Sequence, residues 1–253
     1  MGGSGVRGIF GGTATQTHRP TTPWGGPSGP IEEGTLGNLR VLFLLRHGPG
    51  HTIPPHRVNY RANVEALFGL GAEAIVSVNS VGSLREHLPP GTFVLPSQFV
   101  DLTKQRPTTF FDGGKAIHVS LADPFCPDLT RRTARAGEAA GSPFATDATY
   151  VCVEGPRFST RAESRWFRSF ADIIGMTLVP EVTLARERAL CYVCLAMVTD
   201  FDVWAERPVA AAEIGATMEK NRTRMQSVLD HLLPSVAAEP ECSCARALDD
   251  AVI

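Results

Sequence analysis

Apolar runs alternate with amphipathic stretches along most of the chain, and this alternation predicts strands that alternate with helices. Buried strands are predicted from continuously apolar runs at 40–48, 72–84, 91–102, 148–158 and 190–202. Helices are predicted from apolar positions at helical spacing over 59–69, 127–140, 161–170, 182–190 and 210–231. A short strand is expected at 7–13, whereas 14–38, rich in Thr, Pro and Gly, is expected to be irregular.

This order of elements is typical of an α/β domain. It predicts a single domain over residues 1–239 with a central mixed, largely parallel twisted sheet flanked by helices, followed by a C-terminal tail at 240–253. With 253 residues and 43% hydrophobic content, the chain is large enough to bury one sizeable core.

Charge and hydropathy narrow the class of protein. The net charge is −2 and no basic block occurs, so the sequence does not suggest a nucleic-acid surface. No apolar run reaches the roughly 20 residues that span a bilayer, and the first residues lack the apolar segment of a signal peptide. A cytoplasmic protein without membrane contact is therefore expected.

The six cysteines fall into two groups that matter for chemistry. Cys191 and Cys194 lie in an apolar run, where inert buried thiols are expected because a metal site needs a second pair of ligands. Cys242 and Cys244 lie in the polar tail as Cys-Ser-Cys, so free surface thiols are expected there, with a redox-active pair as the alternative.

Polar residues gather where the predicted strands end. They are Thr13, Arg46, His47, Asn79, Ser80, Asp200 and Asp202. In sheets of this kind the ligand crevice lies outside the carboxyl ends of the strands. The pattern therefore predicts a binding site at this edge of the sheet.

Several of these residues suit an anion. Arg46 at the end of a buried strand needs a negative partner, and phosphate matches its forked donors; an internal carboxylate is the alternative. The turn Gly11-Gly12-Thr13 offers backbone N–H groups, although such a turn alone is weak evidence for an anion site. Asn79, Ser80 and Thr177 carry side chains that can hydrogen-bond phosphate or sugar hydroxyls, although each alone also fits an ordinary turn.

The pair Asp200 and Asp202 indicates a group that can donate a proton during the reaction. Two carboxylates two residues apart on a strand share a face, and their proximity in a desolvated place raises one pKa towards neutrality. Such a group can donate a proton, although the same pair could bind a metal or cap a turn. An anion site opposite an acid suggests that phosphate attacks a carbon with a basic leaving group.

Longer motifs carry a resemblance to a known family. The segments RHG, HTIPPHRVNYRAN, VNSVGSLRE, ADPFCP, EGPRFSTRAES, GMTLVPE and TDFDVW resemble the methylthioadenosine phosphorylases, in the family's order, over about residues 40–232. These enzymes belong to the trimeric purine nucleoside phosphorylase branch. The resemblance implies a homotrimer with active sites completed by a neighbouring subunit, a nucleoside and inorganic phosphate as substrates, and no metal or organic cofactor.

The resemblance also implies a role for each matching residue. Phosphate contacts are implied for Thr13, Arg46, His47 and Thr177, with Asn79 and Ser80 in the same phosphate-and-ribose loop. Nucleoside contacts are implied for Met176 at the ribose, Phe158 stacked on the base, Ser159 near the base edge, Asp200 at purine N7 and Asp202 near the 6-amino group. At the 5′ substituent, the residues implied are Ile214 and, from the neighbouring subunit, His118.

These matches favour phosphorolysis of 5′-methylthioadenosine, or of another 5′-modified adenosine, to adenine and a 5-modified ribose 1-phosphate. Relatives that act on 6-oxopurines carry Glu and Asn at the positions of Ser159 and Asp200, which argues against the first alternative, a 6-oxopurine phosphorylase. A water-using nucleosidase and a catalytically silent nucleoside-binding homologue are further alternatives. The chain departs from the family at Ala14, where the family has Gly, and at the small residues Ala211 and Gly215 of the 5′ pocket.

Overall fold

A small antiparallel sheet precedes the main body of the structure, a computed structural model that describes residues 1–2, 15–205, 211–236 and 240–252. Its strands are β1 (Gln16–His18), β2 (Ile31–Leu36) and β3 (Leu39–Leu44). A two-residue turn joins β2 to β3, and Gly37 takes the positive φ of 59° that such tight hairpin turns require. The end of β3 delivers Arg46 and His47, as predicted.

The expectation that residues 14–38 are irregular is wrong for β1 and β2. Charged and small residues interrupt their apolar pattern, because both strands are only partly buried and gain order from pairing with β3. The strand predicted at 7–13 lies outside the described residues.

The central mixed sheet closes into a five-stranded barrel. Its strands are β4 (Ala74–Ser83), β5 (Phe93–Leu102), β6 (Phe144–Val153), β7 (Ile173–Gly175) and β8 (Cys191–Asp200), in the order β4-β7-β6-β5-β8. The pairs β4–β8, β5–β6 and β6–β7 are parallel, whereas β4–β7 and β5–β8 are antiparallel. The predicted α/β class with a largely parallel mixed sheet is confirmed.

Strands β4 and β8 position the candidate site. They run side by side in the same direction, so their carboxyl ends meet, and Gly82 lies opposite Asp200 after a register shift. β8 is buried along almost its whole length because its apolar side chains face both the barrel interior and the surrounding helices.

Five α-helices flank the barrel in the described part of the chain. They are α1 (Tyr60–Gly69), α2 (Pro127–Ala139), α3 (Arg161–Phe167), α4 (Glu181–Glu187) and α5 (Ala211–Val236). The five predicted helices are confirmed, although α5 runs five residues beyond the predicted end at 231. None of the described helices has the length and apolar character needed to cross a bilayer.

Helix α5 is held by one apolar stripe. Its buried residues are Met225, Val228, Leu229, Leu232 and Leu233, at the spacing of a single helix face. The stripe packs in the cluster that contains Leu129 of α2 and Leu195 of β8. Each such side chain contributes about 1.5–3 kcal/mol on burial.

Candidate active site

A buried ion pair forms the floor of the predicted phosphate region. Arg46 is 1% exposed, and its guanidinium donates to both carboxylate oxygens of Glu181, at 2.6 and 2.9 Å. Burial acts to raise the pKa of Glu181, but Arg46 outweighs it and holds that pKa below its usual value. The internal carboxylate left open as the alternative partner of Arg46 is therefore present, and phosphate binding by Arg46 stays a prediction.

A chain of hydrogen bonds connects this ion pair to Ser77 and Asn79 of β4 and then to Thr177. The Ser77 hydroxyl accepts from Arg46 at 2.7 Å and lies within donor distance of both Glu181 and Asn79. The Asn79 amide then donates to the Thr177 hydroxyl at 2.9 Å, which leaves the Thr177 O–H to donate elsewhere. The structure thus brings Arg46, Asn79 and Thr177 together in one network.

His47 is neutral in this surrounding. Its Nδ1 lies 2.8 Å from the Ile53 carbonyl, which can only accept, so Nδ1 carries the proton and Nε2 presents a lone pair. Burial, reinforced by the Arg46 charge, lowers the His47 pKa from 6.5 to about 4. The Nε2 of a neutral imidazole can accept a hydrogen bond from a protonated phosphate oxygen.

The two predicted acid residues meet at the end of β8. Asp200 accepts from the Thr199 hydroxyl and from the backbone N–H of Asp202, each at 2.8 Å. Burial raises the pKa of Asp200, and the Glu213 charge adds to the rise. Burial also raises the pKa of Asp202, with a further contribution from Asp200.

The Oδ2 oxygen of Asp202 is buried and makes no hydrogen bond of normal geometry among the described residues, although the Ser164 and Ser159 hydroxyls lie near enough to lower the Asp202 pKa. An unpaired buried acceptor costs about 1–3 kcal/mol, so the site favours a ligand that brings a donor to it. Such a donor is a feature that a 6-amino group supplies and a 6-oxo group lacks.

Gly82 of β4 makes room for the acid. A Cβ at this position would lie 2.9 Å from Asp200 Oδ1 and 3.1 Å from Ile174 Cγ2. Real Cβ contacts of 2.9 Å essentially never occur, so any larger residue here must displace its neighbours. Gly82 therefore sets where the Asp200 carboxylate points.

Three predicted nucleoside residues, Phe158, Ser159 and Met176, lie in the loop after β6 and directly after β7. Gly155, with φ of 66°, approaches Met176 so closely that a Cβ would lie 2.6 Å from its Sδ atom. This contact joins the loop after β6, which carries Phe158 and Ser159, to the residue after β7. Phe158 is 39% exposed, which suits an aromatic ring that stacks on a base, and the Ser159 hydroxyl acts to lower the Asp202 pKa.

The other four predicted residues are Ile214, His118, Thr13 and Ser80. Ile214 is half-buried in the first turn of α5, next to Glu213, whose charge reaches Asp200. His118 contacts the C-terminal segment. Its backbone N–H donates to the Ala251 carbonyl at 2.8 Å, and the residue lines a cavity of about 340 Å³ there. Its expected role towards another subunit stays a prediction. Thr13 lies outside the described residues, and Ser80 is half-buried in β4.

Two site residues escaped sequence analysis. Glu181 lies 135 residues from Arg46, and its only signal was a lone carboxylate between the apolar residues Val179 and Val182. Gly82 looked like an ordinary turn glycine, since the sequence does not show how closely β8 approaches it.

Comparisons with known proteins show the family of the chain. A family model described as the phosphorylase superfamily matches residues 6–234, so the fold and the site define a member of that superfamily. The S-methyl-5'-thioadenosine phosphorylase of Pyrococcus abyssi is 50% identical over 98% of this chain and 96% of its own length.

Solved structures give the same result. A methylthioadenosine phosphorylase from an antarctic soil metagenomic library is 45% identical, with a TM-score of 0.92 over 100% of this chain and 90% of its own. The methylthioadenosine phosphorylase of Schistosoma mansoni in complex with adenine is 36% identical, with a TM-score of 0.93 over 98% and 94% of the two chains. The chain belongs to the S-methyl-5'-thioadenosine phosphorylase family.

Proposed function

We propose that the chain cleaves 5′-methylthioadenosine with inorganic phosphate to give adenine and 5-methylthioribose 1-phosphate. The observation that carries this proposal is the pair Asp200 and Asp202, whose pKa values burial raises at the end of β8. The sequence identity to relatives named for this substrate supports the same choice.

Phosphate binds at the floor of the site in this proposal. In it, the Thr177 hydroxyl and His47 Nε2 contact the phosphate directly. Four of the five guanidinium N–H groups of Arg46 have partners among the described residues. The fifth, on Nη1, is available to donate to the phosphate. The Arg46–Glu181 pair is neutral as a unit, so hydrogen bonds, rather than net positive charge, hold the phosphate.

The reaction transfers the ribosyl group from nitrogen to oxygen. A phosphate oxygen attacks C1′ while the C1′–N9 bond breaks, and the N9 bonding electrons leave with the purine. Asp200, whose pKa burial raises, shares a proton with N7 and stabilises the departing base. The positive charge that develops on the sugar is balanced by the phosphate beneath it.

The base edge selects a 6-amino purine. A 6-amino group donates two hydrogen bonds, and Asp202 Oδ2 is an acceptor that makes no hydrogen bond of normal geometry among the described residues. A 6-oxo group would place an acceptor there, so the competing 6-oxopurine activity is disfavoured by an unmet pairing of about 1–3 kcal/mol.

The start of α5 forms the 5′ pocket in this proposal. Ile214 presents an apolar side chain, and a Cβ on Gly215 would meet nothing within 4 Å among the described residues. An apolar, open wall suits a thioether, whereas it leaves a 5′-hydroxyl without a partner. We propose further that the chain is a homotrimer in which His118 of one subunit closes this pocket in the next.

Exchange of the acid tests the assignment. In Asp200→Asn, an amide can donate to a 6-oxo group but cannot transfer a proton. We expect kcat/KM for methylthioadenosine to fall by orders of magnitude and the ratio of methylthioinosine to methylthioadenosine cleavage to rise. Asp230→Asn, which changes an exposed carboxylate on α5, is the matched control. An unchanged base preference in Asp200→Asn would remove Asp200 from the base edge.

A further inference from the structure

Four cysteine thiols meet at the start of β8, the end of the strand opposite Asp200. Cys126 caps the N-terminus of α2, Cys191 begins β8, and Cys242 and Cys244 belong to the C-terminal segment 240–252. Their four Sγ atoms all lie within 4.8 Å of one another, and those of Cys191 and Cys242 are 3.4 Å apart.

This finding corrects two expectations from the sequence. Cys244 is 2% exposed, so it is not a surface thiol, and Cys242 is half-buried. Cys191 is not an isolated core residue either, because the second pair of ligands that a metal site needs comes from the tail. Cys194, the other cysteine of that strand, is buried in the core away from the cluster.

The spacing of the four sulfur atoms is near that of a tetrahedral metal site. Zinc–sulfur bonds of about 2.3 Å at tetrahedral angles place the sulfur atoms roughly 3.8 Å apart. Each of the six Sγ–Sγ distances in the cluster is at most 4.8 Å, so binding requires only small movements of the side chains. Two disulfides would instead bring the sulfurs of each bonded pair to about 2.05 Å. All four thiols are free in the structure, and no oxygen or nitrogen ligand competes among the described residues of the cluster.

Two groups beside the cluster can offset negative charge on its sulfur atoms. The Leu129 N–H at the start of the 13-residue helix α2 donates to Cys126 Sγ at 3.4 Å. The Arg186 guanidinium lies 3.8 Å from Cys244 Sγ. A helix N-terminus and a cation are the groups that offset the double negative charge of a metal with four thiolates.

We propose that Cys126, Cys191, Cys242 and Cys244 bind one Zn²⁺ as a structural site. Binding replaces four S–H protons by four zinc–sulfur bonds, releases those protons and changes no oxidation state. Four ligands from three segments leave no open position, so the ion has no role in chemistry and fastens the tail to α2 and β8.

The tail held in this way reaches His118. Segment 240–252 contacts α2 through Glu241, whose N–H donates to Asp128 at 3.1 Å, and its far end pairs Val252 with Ile117. The His118 N–H donates to Ala251 in the same strip. Zinc therefore stabilises the loop that carries His118, and it does so whether or not the proposed substrate is correct.

Metal content tests the site directly. Protein purified without chelator should contain one zinc ion per chain by elemental analysis, and Co²⁺ exchanged into it should show thiolate-to-cobalt charge transfer and the intense visible bands of a tetrahedral site. Cys242→Ala should lose the metal, whereas Cys194→Ala should retain it. A chelator should lower the melting temperature of the wild type and of Cys194→Ala, and leave Cys242→Ala unchanged.

Two results would overturn the proposal. One is wild-type protein with far less than one metal ion per chain and four thiols that titrate freely. The other is peptide mapping without reductant that recovers the four cysteines as disulfides. Both readouts use folded wild-type protein, so the test stands even if a variant folds poorly, and neither depends on which nucleoside is cleaved.

Discussion

The close approach of Gly82 to Asp200 allows the acid to be displaced without changing its chemistry. In Gly82→Ala, the new Cβ would lie 2.9 Å from Asp200 Oδ1, about 0.5 Å inside the shortest ordinary contact, and 3.1 Å from Ile174 Cγ2. Ile174 is buried, so it yields little, and the carboxylate must move.

The magnitude follows from that displacement. A misplacement of about 1 Å costs roughly a hundredfold in rate, so a shift of about half that size should lower kcat/KM for methylthioadenosine by about tenfold. Overpacking should also destabilise the fold by about 1–3 kcal/mol, which lowers the melting temperature by roughly 2–12 °C.

The assay combines steady-state kinetics with thermal unfolding. Gly69→Ala is the control, since a Cβ on this exposed last residue of α1 meets nothing within 4 Å among the described residues, and neither its kcat/KM nor its stability should fall. The phosphate KM of Gly82→Ala should stay near the wild-type value, because Asp200 acts on the base. Wild-type kcat/KM in a Gly82→Ala protein of lowered melting temperature would refute the placement of Asp200.

Three further predictions concern the phosphate and 5′ regions. Because the His47 pKa is lowered from 6.5 to about 4, the folded state binds fewer protons than the unfolded state in that window, so stability should fall as pH drops from 6.5 to 4. The melting temperature of His47→Gln should therefore depend less on pH there, and an equal slope would contradict the neutral imidazole. Gly215→Leu should reduce cleavage of 5′-alkylthio groups larger than methyl without lowering the melting temperature; a less stable protein with the same substrate order would make Gly215 a packing residue. His118→Ala should leave a trimer by light scattering with altered 5′ selectivity, and unaltered selectivity would exclude the neighbour's contribution.

Local patterns were enough to predict most elements of the fold. The buried strand β8 and the helix α5 carry long, uninterrupted signals, so both were found with small errors at their ends. β7 was missed because three residues are too few to show a period, although this strand joins β4 to β6 and closes the barrel. β1 and β2 were missed because their order comes from pairing, in the end with β3, rather than from apolar periodicity.

Some residues of the candidate site could be predicted from the sequence, and others could not. Arg46 and Asp200 were visible as charged residues at the ends of buried strands, and the family motifs supplied their expected roles. The partner Glu181 and the contact of Gly82 with Asp200 depend on segments 135 and 118 residues away, so only the folded chain reveals them. The cysteine cluster has the same origin, since three distant segments contribute to it.

Dependence of base release on phosphate tests the central claim most directly. The measurement is adenine release from 5′-methylthioadenosine by the wild-type protein, with and without inorganic phosphate, with analysis of the sugar product. The account predicts adenine and 5-methylthioribose 1-phosphate only when phosphate is present, and roughly tenfold to a hundredfold lower kcat/KM for adenosine, whose 5′-hydroxyl is left unpaired. Equal release in phosphate-free buffer, with free methylthioribose as the product, would contradict it, as would nucleoside binding without any release.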